Sequence, residues 1–379
     1  MTHTPKVTFI VPCYNLAHLL PICVESIMQQ TYEDYEVLIM DDCSPDHTPE
    51  VAQALVQGDR RVKHVRNSPN LGHLANYNKA INLAQGEYVW LISADDYLRK
   101  PYVLSRFVEL MDKHANVGYV FCPSMRVDEN VETELMTFTA PRPIDTVFRG
   151  HEFLTRYLLE ANCVPAPAAM ARKKCYAEFG LFPLDLPYSG DWYLWSLFAL
   201  YCDVGYFAEP MVCRRFHGGN ISKVFHRDEV KAFFVNDLAI PIRIRDKAEQ
   251  EGYLEIVERC KISLASLLAQ HMLPPRPTSP VQVPLTLQEA QEFLCGHVGG
   301  PQAESEIRAL AFAQMGDHFY RAGNGSKSLS YYRLAFGEDR KLSGVRWKYW
   351  LGQLGTPGRA LREAISSVRS LSLWSKVRG

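Results

Sequence analysis

The chain has 379 residues, 47% of them hydrophobic and 22% charged, with a formal net charge of −1. That length and apolar content suffice for a substantial buried core and more than one domain, which excludes a disordered or fibrous chain. The near-neutral balance excludes the broad basic face of a general nucleic-acid binder, and no nucleic-acid partner is expected. In chain order, the run VTFIVP (7–12) reads as a strand, and LAHLLPICVESIMQQ after it has apolar residues at helical spacing with Pro21 in the first turn. The alternation continues with strand 35–40, helix 48–57, strand 62–65, helix 73–84, strand 87–92, helix 101–113 and strand 117–122. Strands that are apolar throughout and alternate with helices predict an α/β fold with a mainly parallel sheet covered on both faces.

From 123 to 225 the pattern is mixed, with a proline-rich patch, CVPAPAAMARKK, and a short helix opening at SGDWYLWSLFALY. This stretch reads as the second, acceptor-side half of one domain spanning 1–225. The remainder, 226–379, reads as helical, broken by a proline-rich linker at 273–284. Within it, ALAFAQMGDHFYRAGNGSKSLSYYRLAF has the small and aromatic residues of one tetratricopeptide-like hairpin. Residues 340–379 carry nine Lys or Arg against the single acid Glu363, a local net of +8, which leaves the rest at −9. A basic, aromatic, helical tail is compatible with peripheral contact to an anionic membrane surface, and equally with a solvated face pairing with the acidic body.

Ten cysteines are scattered with no Cys-x-x-Cys pair, which fits a reducing compartment. The sequence shows no charged-then-apolar leader and no run of about 18 apolar residues, so a cytoplasmic protein without a membrane span is expected.

In parallel sheets of this kind ligands bind beyond the carboxyl ends of the strands. The polar residues there are Pro12, Cys13, Tyr14 and Asn15 after the first strand, Asp41 and Asp42 after the second, and Ser93, Ala94, Asp95 and Asp96 after the fourth. Two adjacent aspartates repel unless a cation, a donor or solvent compensates them. Read without further context, these acids also suit turns and caps, since Asp, Ser and Pro in DDCSPD are turn formers. Asp191 likewise reads as a first-turn acid of the helix that follows it, ionised by the helix N-terminus.

The runs VTFIVPCYN, YEVLIMDDCSPDHT and NLGHLANYNKAINLAQGEYVWLISADDYL stand in an order and spacing that resemble family 2 glycosyltransferases. The likeness covers residues 5–222 and implies inverting enzymes with a GT-A fold: a mixed, mainly parallel sheet sandwiched by helices, followed here by an all-helical region. It implies that Pro12 and Tyr14 flank a nucleobase and that Asp42 accepts hydrogen bonds from base or ribose. SADD corresponds to an Asp-x-Asp motif with Ser93 in place of its first aspartate. Ser93, Ala94 and Asp95 then face a nucleotide sugar, and Asp95 and Asp96 bind Mn2+ or Mg2+, ions that take carboxylate and phosphate oxygens. His217, in CRRFHGGNIS, is the third metal or phosphate candidate, with Arg214 and Arg215 adding positive charge for phosphate. Asn76, in NYN, falls where the family carries an arginine-containing run and is the remaining donor-site candidate; Lys79 reads equally as an exposed helix charge.

By the same resemblance Asp191 is the base that takes the acceptor's proton. The expected reaction moves a sugar from a nucleotide sugar, a UDP-sugar foremost, to a hydroxyl of a glycan or lipid-linked acceptor. The alternative is a degenerate transferase domain serving as an interaction scaffold. A nucleotidyltransferase would want a Gly-rich, basic loop after the first strand, and PCYNLAHLL offers none.

Overall fold

A computed structural model describes residues 3–128, 131–136, 142–217, 230–274, 284–339 and 349. Two compact units are present, Met1–Glu229 and Val230–Gly379. The first unit begins β1 (Val7–Cys13), α1 (Leu20–Met28), β2 (Tyr35–Asp41), α2 (Thr48–Gly58), β3 (Val62–Arg66), α3 (His73–Leu83) and β4 (Tyr88–Leu91). It continues with β5 (Tyr97–Leu98), α4 (Val103–Lys113), β6 (Val117–Phe121), β7 (Ser124–Asp128), β8 (Val131–Met136), β9 (Thr146–Phe148) and α5 (Gly150–Phe153). A π turn, Leu154–Leu158, extends α5, and β10 (Ala169–Arg172), α6 (Lys173–Phe179), α7 (Gly190–Tyr201), β11 (Asp203–Tyr206) and β12 (Val212–Arg215) complete the unit.

The main sheet has the order β3-β2-β1-β4-β10-β6-β11-β9. β1 pairs in parallel with β2 and β4, and β2 with β3, as the strand–helix alternation predicts. Every residue of β1 and β2 is buried, which is why both read as unbroken apolar runs. Phe9, Trp90 and Phe107 stack through the core at 5.4 Å and 4.3 Å, and the Trp90 indole donates to the Pro167 carbonyl at 2.8 Å. The mixed character comes from β10, which returns antiparallel between β4 and β6. A second sheet, β5-β12-β7-β8, lies at the far end of β4 in sequence.

The second unit comprises α8 (Val230–Gln250), α9 (Leu254–Met272), α10 (Leu287–His297), α11 (Pro301–Arg321) and α12 (Gly325–Glu338). Thr286 and Glu289 form a capping box that starts α10. The helical hairpin read from the sequence is α11–α12. Tyr332, 1% exposed, covers Gly316, and the Ser328 hydroxyl donates to the Gly316 carbonyl at 2.8 Å. A Cβ at Gly316 would meet the Tyr332 ring at 2.6 Å, so only glycine admits this approach of the two helices. Most of the linker at 273–284, and the basic tail except Tyr349, lie outside the described residues. Among the described residues no helix is long and apolar enough to cross a membrane.

Candidate active site

The end of β4 answers how Asp95 and Asp96 tolerate one another. β5 follows them at once and pairs antiparallel with β12, Tyr97 opposite Cys213 and Leu98 opposite Val212. Carried two residues further, that register sets Arg215 opposite Asp95. Asp96 Oδ1 accepts the Arg215 backbone N–H at 3.0 Å, and Arg215 Nε donates to the Asp95 carbonyl at 3.1 Å. Asp96 is buried at 5% exposure. Burial, then the neighbouring Asp95 charge, push its carboxyl well above the usual carboxylate range. Asp95 instead turns its side chain to His217, Nε2 to Oδ2 at 3.0 Å, in a partly exposed pair. The two acids thus avoid like-charge repulsion because one is held inside as the acid form. Arg215 is itself buried, so its charge sits behind the acidic pair and not on an open phosphate-facing surface as the sequence suggested. The buried Ala94 donates its N–H to the Pro12 carbonyl at 3.2 Å, docking this turn onto the end of β1. Ser93 is partly exposed beside it, and Tyr14 stands 52% exposed just past β1.

At the end of β2 the adjacent acids also divide. Asp41 is fully buried and accepts from Arg66 at 2.5 Å and the Ser44 N–H at 2.8 Å, the turn role its sequence context allowed. Asp42 Oδ1 accepts from Asn67 Nδ2 and the Leu71 N–H, each at 2.8 Å, and its carbonyl accepts from Asn70 at 2.7 Å. Asn67 is the hub: its Nδ2 also donates to Asn76 Oδ1 at 2.8 Å, and its Oδ1 accepts from Lys79 at 2.6 Å. Asn76, 2% exposed, uses its other end on the Met40 carbonyl at 3.2 Å. It therefore stands behind Asn67, with both ends of its amide committed. Gly72, at φ 79°, opens α3 in a conformation that favours glycine and turns the chain from this network into the helix. Asn67 and Asn70 were not singled out from the sequence; their signal was the polar run RNSPN at the end of the third strand.

α3 then reaches the other half of the unit. Asn78 holds Phe182 by two hydrogen bonds, 2.8 and 2.9 Å, and the His73 ring donates to the Pro187 carbonyl at 2.9 Å. This segment leads directly into α7 and Asp191. Trp192, pinned by its indole to the Leu158 carbonyl at 2.7 Å, gives its N–H to Asp191 Oδ1 at 2.8 Å. Asn162 Nδ2 donates to Oδ2 at 3.1 Å. The helix N-terminus was expected to keep this carboxyl readily ionised, and the structure corrects that: burial is the largest influence and pushes it up. The Trp192 N–H, Asn162 and Arg214 oppose the shift only in part. Burial also raises the Tyr77 phenol, and the charges of Asp95, Asp191 and Asp96 raise it further. His73 is pulled down by burial, against the Pro187 carbonyl and the charges of Asp191 and Asp42. One face of α3 is thus within the field of acids from β2, β4 and α7. Among the described residues no group of three or more His, Cys, Asp or Glu side chains is arranged to hold a metal ion.

The family model described as "Glycosyl transferase family 2" matches residues 8–178, which contain β1 through most of α6 and every strand end described above except that of β12. This is a family 2 glycosyltransferase domain. A relative described as an uncharacterized glycosyltransferase of Haemophilus influenzae is 24% identical over 258 residues, 64% of this chain and 79% of its own. The glycosyltransferase GlyG of Streptococcus pneumoniae is 31% identical over 111 residues, 29% of this chain and 37% of its own. The crystal structure of S. aureus TarS 1–349 in complex with UDP-GlcNAc superposes with a TM-score of 0.59 at 17% identity, covering 89% of this chain and 92% of that one. The glycosyltransferase therefore has the GT-A arrangement of a mixed, mainly parallel sheet followed by a helical region.

Proposed function

We propose that the enzyme is an inverting glycosyltransferase that takes a nucleotide sugar, a UDP-sugar foremost, and glycosylates a hydroxyl of a glycan or lipid-linked acceptor. The observation that carries this reading is the joint action of Asp95 and Asp191 on the single Tyr77 phenol. A donor-side acid and an acceptor-side base have to serve one reacting centre. In the reaction Asp191 takes the proton of the acceptor hydroxyl as its oxygen forms the new bond to the anomeric carbon. The bond from that carbon to the diphosphate breaks, and the nucleoside diphosphate leaves. The raised carboxyl of Asp191 makes its ionised form a stronger base. Asp42, steadied through Oδ1, is assigned to the base or ribose, with Pro12 and Tyr14 beside the base and Ser93 and Ala94 along the donor. Asn76 is assigned to positioning Asn67 and not to direct contact.

A divalent cation, Mn2+ or Mg2+, when bound would neutralise charge on the diphosphate. Asp95 and His217 fit such a group: a carboxylate oxygen and an imidazole nitrogen, partly exposed and 3.0 Å apart, leave the remaining positions to phosphate oxygens and water. Asp96, buried and committed to Arg215, is left out of that set. The basic residues of 340–379 suit an acceptor carried at an anionic lipid surface. Incubation with a panel of UDP- and GDP-sugars and Mn2+ is expected to release nucleotide from at least one. Neither binding nor release across the panel contradicts the reading.

A further inference from the structure

Asp191 is held by one donor from its own turn and one from elsewhere in the chain. Trp192 N–H sits on Oδ1 at 2.8 Å, whereas Asn162, in the segment after the π turn, reaches Oδ2 at 3.1 Å. The Asn162 amide cannot be turned round, because its Oδ1 accepts the Val164 N–H at 3.1 Å; reversal would set an NH2 group against that donor. Donors on both oxygens fix the plane of a carboxylate while leaving lone pairs for a further proton. From this geometry we infer that Asn162 is a positioning residue for the acceptor-side base: it fixes the Asp191 carboxylate plane and favours its ionised form. The inference rests on the reading of Asp191 as the base and extends it to a residue outside the matched motifs.

The other groups that act on Asp191 do so through their charge or dipole. Arg214 of β12 favours the ionised carboxylate, and His73 and Tyr77 of α3 sense its charge. Asn162 differs from them as a neutral hydrogen-bond donor, so removing it changes no net charge.

The test is the titration of full-length protein labelled with carboxyl-13C aspartate, the Asp191 resonance being the one lost in Asp191→Asn. Asn162→Ala is expected to raise the Asp191 midpoint by about one pH unit, the effect of losing one hydrogen bond to a carboxylate that keeps some solvent. Asn162→Asp, isosteric but placing a second carboxylate there, is expected to raise it further and serves if the alanine variant does not fold. A midpoint unmoved in folded Asn162→Ala, or lowered in Asn162→Asp, overturns the inference. A separate outcome tests the underlying reading: if Asp191→Asn still releases nucleotide at the wild-type rate from a sugar nucleotide that the wild-type protein hydrolyses, Asp191 is not the base. Asn162 then positions no catalytic group, even with its effect on the titration intact.

Discussion

Truncating Asp95 to alanine leaves the His217 imidazole without the carboxylate 3.0 Å away. Asp95→Ala is therefore expected to weaken Mn2+-dependent binding of a nucleotide sugar at least tenfold, read by calorimetry with and without the ion. Unchanged affinity would remove Asp95 from the cation site. Asp191 sets a pH dependence of known sign. Only its ionised form accepts a proton, and burial raises the pH at which it ionises. The acid limb of the transfer rate should therefore lie above the ordinary aspartate range near ~4, and a limb at or below that value would contradict the role. Asp42, Asp95 and Asp191 were legible in the sequence because each stands where an apolar run meets a polar one. The division of labour within each acid pair was not, since it depends on burial, Asp96 inside and Asp95 out. Nor were Asn67 and Asn162, whose partners lie 25 and 29 residues away in the chain.

At the scale of elements, the strands and helices before residue 123 were readable from periodicity, with α3 predicted at 73–84 and found at His73–Leu83. The second half resisted for a physical reason. β5 and β10 have two and four residues, too short for a pattern, and gain their identity from strands remote in sequence. The β5–β12 pairing alone brings His217 to Asp95 across 122 residues. The α11–α12 hairpin was legible because its small and aromatic residues interlock within a short stretch. Gly316→Leu forces a side chain into the Tyr332 ring, whose hydroxyl is itself held by Asp317. It should lower stability by about 1–3 kcal/mol in denaturant unfolding; a variant as stable as wild type would mean that the two helices are not packed this closely.

For the whole molecule, the fold class followed from alternation of apolar runs. The site followed from the rule that loops beyond parallel strands converge, together with family likeness. Chemistry unites the halves of the first unit: nucleotide-side acids come from β2 and β4, the base from α7, and α3 touches the segments that carry them. Measuring donor binding and sugar transfer side by side in Asp191→Asn tests that division most directly. The account predicts a donor affinity within about threefold of wild type and a transfer rate reduced at least ~1,000-fold, the scale expected for loss of a general base together with its place in the site. Transfer at an undiminished rate, or parallel loss of donor affinity and transfer, would contradict it.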